Sequence, residues 1–120
     1  MSYEIADLLD GAADVIERDG WHQGDFYPGA AGFWGALAEK NGLPKCARGA
    51  INSAASTSNN GGGWIPSWAR KTAEAADALG AVIGCPVPHW NDAPERTKRE
   101  VLDTLRLAAK EQRRAEDGAA

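Results

Sequence analysis

The chain lacks any long apolar run. Nowhere in its 120 residues is there a stretch approaching the roughly 20 apolar residues needed to cross a bilayer, so a membrane-bound role through a spanning helix is not expected. The opening Met1-Ser2-Tyr3-Glu4-Ile5-Ala6-Asp7 is acidic and amphipathic rather than basic then apolar, which argues against a secretory signal and for residence in the cytoplasm. Cysteine is scarce. Cys46 and Cys85, in a reducing compartment, are expected as buried thiols and not as a disulfide. Histidine is equally scarce, with only His22 and His89.

Motifs for bound groups are missing too. Residues 56–63 (Ser-Thr-Ser-Asn-Asn-Gly-Gly-Gly) are rich in glycine, but no Gly-Lys-Ser/Thr follows, so they are not a Walker-type phosphate loop. Cys85-x-x-x-His89 together with Cys46 and His22 matches a Cys2His2 zinc set in number. The spacing does not match paired knuckles, and no metal site is assigned. No nucleophile elbow or paired-carboxylate pattern is present. His22 near Asp25, or His89 near Asp92, would make an acid–base pair. With many carboxylates in the chain such proximity arises by chance, so the balance is against catalysis, and no catalytic residue or cofactor is assigned.

What the chain does have is a composition suited to one domain and one core. Apolar residues make up 43%, and alanine and glycine dominate. Five tryptophans (Trp21, Trp34, Trp64, Trp68, Trp90) are the obvious anchors, each able to bury on the order of 200 Å². Charge is unevenly placed. Residues 1–30 carry seven acids against Arg18 alone, net −6, and residues 95–114 carry seven bases against four acids, net +3. Such asymmetry favours the two ends lying together, or a homodimer pairing unlike faces; the plainer alternative is two solvated helix faces. A basic C-terminal helix also raises nucleic-acid binding, but the chain is acidic overall, with a pI near 5.1, which weighs against it.

The pattern along the chain is that of a mainly α protein: a single compact domain, residues 1–116, of about four to five short helices with long irregular connections. Residues 3–19 are amphipathic, with Ile5, Leu8, Leu9, Ala12 and Ile16 on one stripe and Gly20 placed as a left-handed stop. Trp21 is positioned to fold back over that helix end. A short helix is expected over residues 32–40, and a small-residue helix, central by its Ala and Gly content, over residues 45–55. Residues 56–63 read as a flexible loop. A further helix over residues 67–79 would bury Ala69, Ala73, Ala76 and Leu79 and stop at Gly80. Two prolines make the end of residues 81–88 extended. Thr97-x-x-Glu100 is a capping box for a last helix that buries Val101, Leu102, Leu105, Ala108 and Ala109 and leaves Leu107 outside. Residues 117–120 should fray.

Two candidate sites follow. Trp64 and Trp68, four apart beside the loop, would form a protein-binding anchor, with core or loop packing as the competing explanation. Gln23, His89, Asn91 and Asp92 would line a small polar pocket for a ligand or for hydrolysis. The competing explanation is structural: Asn91-Asp92 as an Asx turn, Trp90 packed beneath it, Pro94 as a stiffener and Thr97/Glu100 as the cap.

Four patches resemble an uncharacterised small-domain family of actinobacteria and their bacteriophages. They are Leu8-Leu9-Asp10-Gly11-Ala12-Ala13-Asp14-Val15-Ile16; Gly20-Trp21-x-Gln23-Gly24; Cys46-Ala47-x-Gly49-Ala50-Ile51; and Trp90-Asn91-Asp92-x-Pro94-x-x-Thr97-x-x-Glu100-Val101-x-x-x-Leu105-x-x-Ala108. They cover about half of the chain; residues 25–44 and 56–84 show little of the resemblance. It implies a host type, with the host cytoplasm as the setting for a phage-encoded member, and no chemistry. The functional expectation is a small accessory protein that binds another protein, possible host proteins included. The alternative is a small-ligand-binding or hydrolytic domain around His89, Asn91 and Asp92.

Overall fold

The computed structural model of the chain describes residues 4–23, 44–58 and 66–119, without the side chains of residues 56–58, 66–69 and 119. Five helices occupy the described residues: α1 (Glu4–Asp19), α2 (Ala47–Ser58), α3 (Pro66–Ile83), α4 (Val87–Asn91) and α5 (Lys98–Ala119). The only sheet-like pairing among them is one parallel bridge between Trp21 and Lys45. The protein is thus mainly α, folded around one core.

α1 organises that core. It packs most extensively on α5 and α2 and also touches α3. Its predicted stripe is buried, joined by Ala6, Ala13 and Val15. Ten of the 23 buried apolar side chains among the described residues are alanines, so the helices approach closely instead of interlocking large side chains. Gly11 marks the tightest point: a Cβ there would sit 3.1 Å from the Ala54 Cβ of α2. Larger residues fill the gaps at Leu9, Ile16, Ile51, Leu79, Val101 and Leu105, each at most 2% exposed. Burying each contributes about 1.5–3 kcal/mol, and truncating Leu9 or Leu105 to alanine would cost about 2–5 kcal/mol.

The terminal charge asymmetry is resolved within one chain. Arg106 of α5 pairs with Asp10 and Asp14 of α1 at 3.1 and 2.6 Å, and Arg113 pairs with Asp7 and Asp10, both at 2.8 Å. The two ends therefore lie side by side. α5 begins with the expected box: Glu100 N–H donates to Thr97 Oγ1 (3.2 Å), and Thr97 N–H donates to Glu100 Oε1 (3.0 Å). It buries the expected stripe, leaves Leu107 46% exposed, and continues past Asp117 to Ala119.

Several expectations need correction. α3 does not stop at Gly80 but runs to Ile83, where Gly84 supplies the left-handed conformation, φ +75°. Its buried stripe is Thr72, Ala75 and Leu79, with Ala73 exposed. Alanines on every side of this helix left its register undetermined by pattern. Residues 87–91 are helical despite the two prolines, because Pro86 is the N-cap and Pro88 falls in the first turn, where its missing N–H would have had no helical partner. α2 starts at Ala47, not at 45, and extends through residues 56–58, the start of the expected loop. The expected helix over residues 32–40, the rest of the loop, Trp34 and Trp64 lie outside the described residues, as does the Trp68 side chain.

Candidate functional site

Of the predicted pocket residues only Asn91 lies in the interior; Gln23, His89 and Asp92 are exposed. Asn91, at the end of α4, is fully buried. Its Oδ1 accepts from the Trp21 indole N–H at 2.7 Å and from the Ala47 backbone N–H at 3.0 Å. Its Nδ2 donates to the His22 carbonyl and to Asp92 Oδ1, both at 3.1 Å. Two donors face one atom and two acceptors the other, so only one orientation of the amide satisfies the set, and all its hydrogen-bonding capacity is used. The Asn91 Oδ1 does not close the expected Asx turn; three of its side chain's four partners are 44 to 70 residues away in sequence, and the fourth is the neighbouring Asp92.

Those partners explain the sequence patches. Gly20, φ +101°, ends α1 and turns the chain. The turn aims Trp21 at the core, which it packs against, and places Gln23 beside α4. Gln23 Nε2 then donates to the carbonyls of Asn91 (3.1 Å) and Ala93 (2.9 Å). A helix of five residues has unsatisfied carbonyls at its end, and Gln23 closes them together with Arg96, whose Nε donates to the Trp90 carbonyl. Arg96 also stacks 4.2 Å above the Trp90 ring, a cation–π contact that leaves Trp90 only 8% exposed. At the start of α2, Cys46 is the N-cap: its Sγ accepts from the Gly49 N–H at 3.2 Å, while Asn91 takes the Ala47 N–H. Burial pushes the Cys46 thiol up from its ordinary pKa and outweighs the lowering effect of the Gly49 and Arg48 N–H groups. Cys85 is likewise free, and partly exposed.

Beside this knot lies an ion pair that sequence reasoning missed. Lys45, fully buried, bonds Asp19 at 3.1 Å. Its backbone ties down the same turn: Lys45 N–H donates to Gly20 O, and His22 N–H donates to Lys45 O. The Arg18 guanidinium, then Lys45, hold the Asp19 carboxyl down to about 2 against the opposing effect of burial. One signal was available. An acid in the last turn of a helix opposes the helix dipole and so calls for a cationic partner.

His89 takes no part in the knot. It is exposed and lines an open groove of about 730 Å³ with Cys85, Pro88, Trp90, Asp92 and Arg96. Of the four predicted pocket residues, Gln23, Asn91 and Asp92 meet through hydrogen bonds, and His89 and Asp92 share the groove. No group of three or more His, Cys, Asp or Glu among the described residues is arranged to hold a metal ion. No helix among them is long and apolar enough to cross a membrane.

Fold and site together define a small all-α domain whose signature residues are fasteners between distant segments. The chain belongs to a family of unknown function, DUF6197, matched over residues 1–111. That match takes in residues 25–44 and 56–84, which the four patches leave out. No curated protein and no solved structure matches the chain.

Proposed function

We propose that this protein is an accessory domain that acts by binding another protein, in the cytoplasm of an actinobacterium or of the host of an actinobacterial phage. One observation carries this proposal: Asn91 and Gln23, the polar side chains that a ligand pocket would need, are consumed in holding the fold together. Two bases that nucleic-acid binding would need, Arg106 and Arg113, are likewise engaged by α1. The candidate contact residues are Trp64 and Trp68, with Leu107 as the exposed apolar residue of α5; the partner is a host protein or a second copy of the chain. Affinity capture from the host tests this, comparing the wild type with Trp64→Ala/Trp68→Ala and with Leu107→Asp. The expected result is loss of a defined partner in one variant with its thermal melt unchanged. Retention of every partner by both variants would remove these surfaces from consideration.

A second reading, small-ligand binding or hydrolysis, is favoured by the groove that His89 and Asp92 share. It predicts that His89→Ala abolishes binding or turnover of a small molecule without changing stability.

A further inference from the structure

Among the described residues six of the eight arginines are paired with a carboxylate, and of the other two only Arg48 is partly buried. Arg18, Arg96, Arg99, Arg106, Arg113 and Arg114 each have a carboxylate within 4.0 Å, and Arg70 is exposed. Arg48, on the first turn of α2, is partly buried and has no carboxylate at that distance among the described residues. One of its five N–H donors is accounted for: Nη1 donates to the Thr72 carbonyl of α3 at 2.8 Å. Burial pushes its pKa down, and the Asp77 charge only partly offsets this. A partly desolvated cation whose remaining donors meet no acceptor among the described residues favours an anion beside it.

Arg48 sits in a groove of about 590 Å³ whose lining includes Asp77, Cys85, Pro86, Val87 and Pro88. This groove is separate from the one that His89 lines, although Cys85 and Pro88 border both. We propose that it is a binding site for a monocarboxylate with a short apolar stem, the carboxylate taken by the Arg48 guanidinium and the stem by the proline–valine wall. A guanidinium fork matches a carboxylate in two parallel hydrogen bonds. With one cation present and Asp77 on the same groove, a dianion such as phosphate is disfavoured. The carboxylate comes from a free small acid or from a chain terminus of another protein. The site goes beyond the proposed partner binding and stands if that proposal fails.

The test is NMR titration of ¹⁵N-labelled protein, following the Arg48 Nε–H signal in the wild type and the backbone N–H signals of Asp77, Cys85 and Val87, which also line the groove, in every variant. Isovalerate represents the free acid, N-acetyl-alanyl-valine the chain terminus, and isovaleramide and chloride are the controls. The expected result is a saturating shift with one or both carboxylates and none with the controls. The carboxylate that saturates at the lower concentration identifies the source. Arg48→Gln should weaken binding about tenfold or more, and Arg48→Lys by less, because charge survives while the fork is lost. Asp77→Asn, at an exposed position, should tighten binding about two- to fivefold by removing a like charge. No saturation, equal shifts with isovaleramide or chloride, or unchanged binding in a folded Arg48→Gln variant would overturn the site. If Arg48→Gln fails to fold, unchanged or weaker binding in Asp77→Asn overturns it instead.

Discussion

Asn91→Asp separates a structural role for the buried amide from a ligand-binding one. The substitution preserves shape and keeps Oδ1 for the Trp21 and Ala47 donors, but it turns the other atom from donor to acceptor. That atom then faces the His22 carbonyl and Asp92 Oδ1, each 3.1 Å from Nδ2 in the native protein. Losing the donor to the partly buried carbonyl costs about 1–3 kcal/mol. Repulsion between two carboxylates at this separation ranges from about 1 kcal/mol in water to about 5 kcal/mol at an effective dielectric of 20. Asp92 is exposed, so the lower end applies. The expected loss is about 2–4 kcal/mol at pH 7.5, a fall in urea midpoint of about 1–2 M for a typical slope. Burial and Asp92 raise the folded-state pKa of the introduced carboxyl above its unfolded value. The folded protein then holds a proton that the unfolded chain has released, so the deficit relative to wild type shrinks as pH falls through the raised pKa toward about 4. Circular dichroism during urea titration at pH 7.5 and pH 5 measures both effects. A midpoint within about 0.2 M of wild type at pH 7.5, or a deficit that grows on acidification, would refute the reasoning.

Other perturbations follow from the same structure. Thr97→Ala removes the hydroxyl that accepts the Glu100 N–H and should cost about 1 kcal/mol in thermal or urea unfolding; adding Glu100→Ala should cost less than the two single changes together, since both break one box. Arg106→Ala and Arg113→Ala should each cost up to about 1 kcal/mol at low salt, because these pairs are largely exposed. The loss should fade in 1 M NaCl, where the Debye length is only about 3 Å. Asp19, held down to about 2, contributes stability that is fully present above its unfolded pKa of about 3.9 and is lost as pH falls toward 2. Asp19→Asn should therefore flatten the acid limb of the stability profile between pH 4 and pH 2, a window set by the same values, and an unchanged limb would contradict the assignment.

Much of the fold was legible because α1 and α5 are strongly periodic and α5 carries a local cap. Both of their buried faces, and the exposure of Leu107, follow from spacing alone. The end of α1 at Gly20 was legible for the same reason, since glycine tolerates the positive φ found there. α3 was less so: with alanine at 69, 73, 75, 76 and 78 several faces are equally apolar, and of the expected stripe Leu79 is buried, Ala76 half-buried and Ala73 exposed. The two prolines hid α4, whose five residues are held by Gln23 and Arg96 from outside the helix rather than by local propensity. At the junction, the structure brings together Trp21, expected as a structural anchor, with Gln23, Asn91 and Asp92, expected as pocket residues, through hydrogen bonds that spacing alone does not show. Asn91 reads as a turn residue from its neighbours, and its partners become visible only when segments around residues 21, 47 and 91 are brought together. Lys45 was hidden by the same long-range closure. Three of the four family-like patches meet at this junction, and the fourth, within α1, leads into it. The resemblance therefore records how the domain is fastened.

The central claim is that Asn91 is an interior fastener with every hydrogen-bonding valence used. Hydrogen–deuterium exchange of its side-chain amide, read by NMR alongside the Trp21 indole N–H, tests this most directly. The structure predicts that the Asn91 Nδ2 hydrogens exchange only through opening of the junction, with protection approaching that of the core amides of α1 and α5. Exchange at the rate of an exposed primary amide, with the α1 and α5 amides still protected, would contradict it.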